Sequence, residues 1–219
     1  MKKNDNNLGL SINSLKEITI EMMEKCEHII EESVSAMVEK DIEKSKNIIV
    51  LDDDIDELRG YIREQLIELI ALRQPMAKDL RTIYALSAMA TELERIGDYA
   101  VNIAMENIKI GGDEYVEELI DIPKMKNISI DMLKSAKMSF INNDVKLAKK
   151  IALQDDIIDD LCNEVYIDCI SAMHRDKKNI VQAVRLLLVG RFLERIGDHI
   201  TNICEMIIYS IKGELVELD

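Results

Sequence analysis

A twelve-residue string that occurs twice decides the fold: LERIGDYAVNIA at 93–104 and LERIGDHITNIC at 193–204. Eight of the twelve positions are identical between the two copies. Apolar residues recur at three- and four-residue spacing in both, which is typical of one face of an amphipathic helix. The recurrence of a whole helix indicates that the chain contains two copies of one helical unit.

The segments outside this string extend the repeat to a three-helix unit. Asp41 and Asp144 each precede an apolar-periodic segment and are predicted to be helix N-caps. Breaks at prolines, paired glycines and polar turns separate the helices. We predict six long helices, at 9–40, 42–72, 77–109, 123–142, 145–173 and 179–211. Because long helices joined by short turns pack as antiparallel neighbours, we predict an all-α fold of two pseudo-symmetric three-helix bundles, 1–110 and 113–219.

Composition restricts the partners of the protein. The 219 residues include 42 acids and 28 bases, which gives a formal charge of −14. Such a surface repels nucleic acid and anionic lipid and is compatible with cations and basic proteins. The N-terminal segment lacks the apolar core of a signal peptide, and no apolar run is long enough to span a membrane. We expect a cytoplasmic protein with no nucleic-acid partner and no membrane insertion.

The four cysteines do not form a motif. Cys26, Cys162, Cys169 and Cys204 show no CxxC spacing and have no accompanying His–Cys cluster. Cys162 and Cys169 share one helix face, where buried thiols are the simpler interpretation. The sequence therefore favours reduced, buried cysteines over thiol metal ligands.

Repeated acid pairs are the main candidates for a functional site. Each unit has a DxxxD on its second helix and an ExxxD on its third. Carboxylates four residues apart destabilise a helix by about 0.2–0.5 kcal/mol, and a bound cation reverses that effect. A single pair is most simply a solvated helix face, but recurrence in register favours metal binding by hard cations or iron. The candidate metal ligands are Asp52, Asp56, Glu94, Asp98, Asp155, Asp159, Glu194 and Asp198.

Residues next to the acid pairs leave two alternatives open. Gly97 and Gly197 lie inside helices, where glycine costs about 1 kcal/mol relative to alanine. They indicate either the close approach of a neighbouring helix or cluster, or a packing accommodation without function. Arg95 and Arg195 form either exposed ion pairs or orienting contacts with the carboxylates. One asparagine lies one turn beyond each ExxxD and offers a further carbonyl oxygen: Asn102 in the first half and Asn202 in the second.

Enzyme motifs are absent from the sequence. None of the three histidines, His28, His174 and His199, follows a glutamate at the spacing used by di-iron bundle enzymes. The sequence has no phosphate-binding glycine loop and no nucleophile elbow. It therefore predicts a protein that is not an enzyme.

The motifs together resemble those of the PhoU family, the accessory proteins of the phosphate-specific transport system. The resemblance rests on the two LERIGD strings, on RQPMAKDLR at 73–81, and on LDDDIDEL at 51–58 and QDDIIDDL at 154–161. It covers nearly the whole chain. It implies a fold of two three-helix bundles and metal ions, iron or zinc before manganese or magnesium, held by the eight acids named above.

The resemblance also implies a role. It indicates a cytoplasmic negative regulator of phosphate uptake and phosphate-starvation signalling, commonly a dimer. This regulator would be a non-enzymatic adaptor between the transporter's ATPase subunit and a sensor histidine kinase. Two alternatives are a metal-storage bundle or metalloenzyme, and a metal-free scaffold with solvated acids.

Overall fold

The structure, a computed structural model, describes residues 2–218 and contains no β-strand within them. Seven α-helices make up this part of the chain, and a 3₁₀ turn, Lys177–Asn179, precedes the last of them. The helices are α1 Lys2–Val38, α2 Ile42–Arg73, α3 Ala77–Ile110, α4 Asp121–Asn142, α5 Val145–Ala152, α6 Asp155–Arg175 and α7 Ile180–Lys212. The predicted all-α fold is confirmed. None of these helices is long and apolar enough to cross a membrane.

Two aspartates start equivalent helices in the two halves, as the sequence predicts. The Asp41 carboxylate accepts a hydrogen bond of 2.9 Å from the Lys44 amide at the start of α2. The Asp144 carboxylate accepts from the amides of Lys146 and Leu147, at 3.0 and 3.1 Å, at the start of α5. Each bond satisfies a backbone donor that the first turn leaves without a partner.

The prediction of one helix at 145–173 is wrong, because α5 ends at Ala152 and a separate helix, α6, begins at Asp155. The Gln154 amide donates to the Ile151 carbonyl at 2.9 Å, which is a three-residue turn instead of the four-residue turn of an α-helix. No Pro or Gly marks this position, and Gln154 keeps right-handed backbone angles of φ −84° and ψ −15°, so periodicity does not reveal the break. The break places Asp155 in the first turn of α6, where the helix dipole favours a negative charge.

The helices form two bundles that share one continuous hydrophobic core. In the first, α1, α2 and α3 pack against one another; in the second, α7 packs against α4, α5 and α6. The two bundles meet along α3–α7 and α1–α4. Helix α2 buries Ile48, Ile55 and Ile62 completely, one every seven residues, and each contributes about 1.5–3 kcal/mol through burial. This seam fixes which face of α2 points towards α3.

The connection between the halves is bonded to both of them. The Tyr115 hydroxyl donates to the Met37 carbonyl at 2.6 Å, at the end of α1. The Val116 amide donates to the Gln182 side-chain carbonyl at 2.6 Å, in the first turn of α7. These bonds hold residues 111–120 against both bundles.

Candidate metal centres

An aspartate of α2 lies directly against the glycine inside the repeated string of α3. A Cβ built on Gly97 would overlap the Asp52 Oδ1 atom and would lie 3.3 Å from the Ile55 Cδ1 atom. The second half repeats this contact, because a Cβ on Gly197 would overlap Asp155 Oδ1. A side chain of the neighbouring helix therefore approaches each glycine closely, and the group that approaches is a predicted metal ligand.

The four acids of the first half share one electrostatic environment. Burial raises the pKa of Asp52 to about 7, and the negative charges of Asp56, Asp98 and Glu94 add to this rise. Burial also raises the pKa of Glu94, aided by Asp98 and opposed by Arg59. The structure thus brings Asp52, Asp56, Glu94 and Asp98 together, and we call them the first acid cluster.

The matching acids of the second half also converge, and we call them the second acid cluster: Asp155, Asp159, Glu194 and Asp198. Burial raises the pKa of Asp159, and the charge of Asp198 on α7 adds to the rise. Burial and Asp198 likewise raise the pKa of Glu194. The Thr201 hydroxyl donates to Asp155 Oδ2 at 3.4 Å, which connects α6 to α7 one turn beyond Gly197.

Arginines pair with the carboxylates in both clusters. In the first, Arg59 Nη1 donates to Glu94 Oε1 at 2.9 Å, and Arg95 Nη1 donates to Asp98 Oδ2 at 3.2 Å. The Arg95 side chain is 55% exposed, so it forms a solvent-facing ion pair that also orients the carboxylate. The sequence leaves the role of Arg95 open. It does not identify Arg59, because the partner of Arg59, Glu94, lies 35 residues away on another helix.

The second cluster has a different source for one of its arginines. Arg195 Nη1 donates to Asp198 Oδ2 at 2.8 Å, as its counterpart does in the first half. Glu194 Oε1, however, accepts from Arg191 of its own helix. Position 59 of the first half corresponds to Cys162 in the second, since Asp52 and Asp155 are 103 residues apart.

Unsatisfied carboxylate oxygens show whether the clusters suit a cation. As the side chains stand, no three acidic, histidine or cysteine groups within residues 2–218 are arranged to hold a metal ion. The Oε2 atoms of Glu94 and Glu194 are nevertheless buried without a hydrogen bond, and the Nε atoms of Arg95 and Arg195 lie 3.7 and 3.8 Å from them. A divalent cation would satisfy these oxygens and relieve the repulsion among the acids. The oxygen donors are of the type that hard cations prefer, and Arg59, Arg95, Arg191 and Arg195 neutralise part of their charge in this structure.

One cysteine does not follow the sequence prediction. Cys26, Cys169 and Cys204 are buried as expected, but Cys162 is only half-buried. It lines a cavity of about 210 Å³ with Asp159, Asn163, Arg191 and Glu194. Burial raises the pKa of the Cys162 thiol, and the charge of Glu194 adds to this rise. Superposing the two halves of the sequence at the 103-residue offset is the signal that identifies this position.

The histidine of the second string bonds across the two halves. His199 Nδ1 lies 2.7 Å from Glu92 Oε2 of α3, and the side-chain Nδ2 atom of Asn202 donates to the same oxygen at 3.0 Å. The imidazole also stacks on the Tyr99 ring with centroids 5.5 Å apart. Burial favours the protonated form of Glu92, but the bonds from His199 and Asn202 outweigh it and lower its pKa. His199 and Asn202 therefore join the bundles at Glu92.

A groove larger than the cavity beside Cys162 lies elsewhere and has a different character. It has a volume of about 790 Å³ and lies between the α2–α3 turn and the C-terminal end of α7. Its walls are mainly apolar, including Ile67, Ile70 and Leu80, and its charged lining residues are Arg63 and Arg81. A groove lined by arginines and no acid does not suit cations, so the acid clusters remain the candidate metal centres.

Comparison with known proteins identifies the family to which the chain is similar. The sequence matches the PhoU domain twice, over residues 19–106 and 122–207. It is 33% identical over 201 residues to a phosphate-specific transport system accessory protein PhoU homolog of Clostridium acetobutylicum, covering 91% of this chain and 92% of that protein. The homolog of Aquifex aeolicus is 34% identical over 202 residues, covering 92% and 91% of the two chains.

Two crystal structures share the fold over nearly the whole chain. PhoU from Pseudomonas aeruginosa superposes with a TM-score of 0.89 at 26% identity, covering 94% of this chain and 99% of that one. The phosphate transport system regulatory protein PhoU from Streptococcus pneumoniae gives a TM-score of 0.89 at 27% identity, covering 96% and 100%.

Proposed function

The chain belongs to the PhoU domain family, and from this membership we propose that it is a negative regulator of phosphate uptake and phosphate-starvation signalling. In this proposal it acts in the cytoplasm as a non-enzymatic adaptor, commonly a dimer, between the phosphate transporter's ATPase subunit and a sensor histidine kinase. The observation that carries the proposal is the match of both halves, over 19–106 and 122–207, to one domain found in relatives named as accessory proteins of phosphate-specific transport.

We also propose that each acid cluster holds a cation, with iron or zinc before manganese or magnesium. The contact of Asp52 with Gly97 and the buried Glu94 oxygen without a hydrogen bond support this in the first half. A cation there would neutralise the acids and link α2 to α3. A chain with a formal charge of −14 repels free phosphate, so we propose that the phosphate signal reaches it through a partner or a bound cation.

Deleting the gene in its host tests the regulatory role. We expect phosphate-scavenging genes to be expressed in phosphate-rich medium, because the negative regulator is missing. The measurement is reporter expression in rich and poor phosphate, with a strain that carries the wild-type gene on a plasmid as control. Unchanged expression in phosphate-rich medium would contradict the proposed role whether or not the protein binds metal.

Removing two acids from the first cluster tests its proposed metal site. We expect Glu94→Ala/Asp98→Ala protein, purified without chelator, to lose the metal of the first cluster and to retain that of the second. Metal per chain is measured by elemental analysis. Glu64→Ala/Glu68→Ala is the matched control, since it removes an exposed acid pair with the same spacing from α2. Equal metal content in wild type and Glu94→Ala/Asp98→Ala would show that the first acids are only a solvated face.

A further inference from the structure

On the basis of the proposed function, in which the protein is an adaptor, we propose that the groove between the α2–α3 turn and the end of α7 is a docking surface. Its occupant is an amphipathic helix of a partner protein that presents carboxylates along an apolar face. We call this surface the arginine groove and define it by Arg63, Ile67 and Ile70 of α2 and Leu80, Arg81 and Tyr84 of α3.

The arginines at this end of the first bundle lack acid partners. Within residues 2–218, Arg63, Arg73 and Arg81 form no ion pair, and Arg73 lies one turn beyond Ile70 at the end of α2. The other arginines each pair with an acid: Arg59, Arg95, Arg175, Arg185, Arg191 and Arg195. In a chain with 42 acids and 28 bases, guanidinium groups left without an acid indicate that another molecule supplies the carboxylates.

Arg81 is fixed in the wall of the arginine groove. A Cβ built on Gly213 would lie 3.0 Å from Arg81 Nε, so the chain after α7 packs directly against this side chain. The Nε atom is buried without a hydrogen bond, which leaves the guanidinium with unused donor capacity. A carboxylate is the acceptor that matches the planar fork of donors on an arginine.

The remaining walls of the arginine groove are apolar and open to solvent. Ile67 is 66% exposed, Leu80 45% and Tyr84 57%. Adjoining exposed apolar side chains are typical of protein-binding surfaces, and arginine and tyrosine are enriched among the residues that contribute most to binding. The chain beyond α7 contributes only Gly213 to the lining within the described residues, so its own tail does not fill the groove.

The shape of the groove favours a helix as its occupant. Its volume is about 790 Å³, and its two long walls are the antiparallel helices α2 and α3. A third helix can pack its side chains between two such helices, with apolar anchors three or four residues apart. An extended segment would need a sheet edge for its backbone, and residues 2–218 contain no strand.

The positive charge distinguishes this groove from the equivalent surface of the second half. Tyr166 takes the place of Arg63 at the 103-residue offset of the second helices, and Val181 takes the place of Arg81 at the 100-residue offset of the third. Leu80 corresponds to Ile180, so the apolar wall recurs while the arginines do not. The three-helix unit therefore folds without these arginines, and their charge is available for selecting a partner.

The net charge of the protein favours a protein partner over other anions. Lipid headgroups and nucleic acid also carry negative charge, but they present it over extended surfaces that a chain of charge −14 repels. A single helix with a few carboxylates brings the anionic groups to the arginines and its apolar face to Ile67 and Leu80.

Binding measurements on groove variants of the full chain test the proposal. The probes are the purified ATPase subunit of the host's phosphate transporter and the cytoplasmic region of its sensor kinase, each titrated by calorimetry. We expect Arg63→Glu, and separately Ile67→Ser/Leu80→Ser, to weaken binding to at least one probe by about tenfold or more. Lys149→Glu and Leu153→Ser are the matched controls, since both positions are exposed and lie outside the groove, and they should change affinity by less than about twofold.

Hydrogen exchange of the wild-type complex identifies the two contacting segments. We expect protection over residues 63–84 of this chain and over an amphipathic, acidic helix of the partner. Protection of a basic partner segment, or none over residues 63–84, would overturn the proposal.

The binding outcomes separate the docking surface from the adaptor role. Unchanged affinity for both probes in both groove variants overturns the docking surface and leaves the adaptor role intact. If wild type binds neither probe, the adaptor role fails and the docking surface fails with it. Loss of self-association in Arg63→Glu with unchanged probe affinity would make the groove an interface between copies of this chain. Binding of phosphatidylglycerol vesicles through Arg63, with no effect on either protein probe, would likewise overturn the proposal.

Discussion

Gly97→Ala is expected to weaken cation binding at the first acid cluster at least tenfold. The added methyl group occupies the space of Asp52 Oδ1, so the carboxylate must rotate out of the cluster. A misplaced ligand should lower metal affinity at least as much as the loss of a supporting contact does, and that loss is typically 10–100-fold. The measurement is a titration of chelator-treated protein with Zn²⁺ and with Mn²⁺. Wild-type affinity in Gly97→Ala would show that Asp52 is not a ligand.

The stability of the metal-free protein provides an independent check on the same contact. Replacing a helical glycine by alanine normally stabilises by about 1 kcal/mol. Gly60 lies inside α2 with no atom within 4 Å of the added Cβ, so Gly60→Ala should raise the free energy of unfolding by about 0.5–1 kcal/mol. Gly97→Ala should lack that gain, because the methyl group crowds Asp52 and Ile55. Denaturant unfolding measures both changes. An equal gain in the free energy of unfolding for Gly97→Ala and Gly60→Ala would contradict the close approach of Asp52 to Gly97.

Asp52→Asn is expected to remove part of the pH dependence of stability in metal-free protein. The pKa of Asp52 rises from 3.8 to about 7 on folding, mainly through burial and then through the neighbouring acids. Between these values the folded state holds a proton that the unfolded state has released, so stability falls as pH rises. The full shift corresponds to about 4 kcal/mol, and solvent screening of this half-buried group reduces it to about 1–3 kcal/mol.

We therefore expect Asp52→Asn to exceed wild type in stability by about 1–3 kcal/mol at pH 8 and to match it near pH 4. Urea unfolding at several pH values in the presence of chelator measures the difference. Asp131→Asn, which removes an exposed acid from α4, controls for the general loss of negative charge. A wild-type protein that becomes more stable between pH 4 and 7 relative to Asp52→Asn would contradict the raised pKa. A saturating cation should make wild type more stable than Asp52→Asn, since the cation stabilises the carboxylate form of Asp52.

Several features of the fold and of the site follow from local sequence. Asp41 and Asp144 are identifiable as caps because a capping side chain bonds amides two or three residues away. The acids Asp52 and Glu94 are identifiable as partners because each recurs in register in the second half. The break after Ala152 is not detectable from the sequence, since its backbone stays right-handed and the apolar spacing continues through it.

The contacts that define the chemistry of the site were decided only by the tertiary structure. Packing of α2 on α3 sets Asp52 against Gly97, and packing of α6 on α7 brings Cys162 to the cavity beside Glu194. Neither contact follows from spacing along one helix, because each joins side chains from two helices whose relative rotation depends on the whole core. The sequence by itself determined the repeat, every helix but the one broken after Ala152, and the acids that recur in register. Tertiary packing decided which arginine or thiol meets each acid, because burial and distance, unlike residue type, are properties of the assembled bundle.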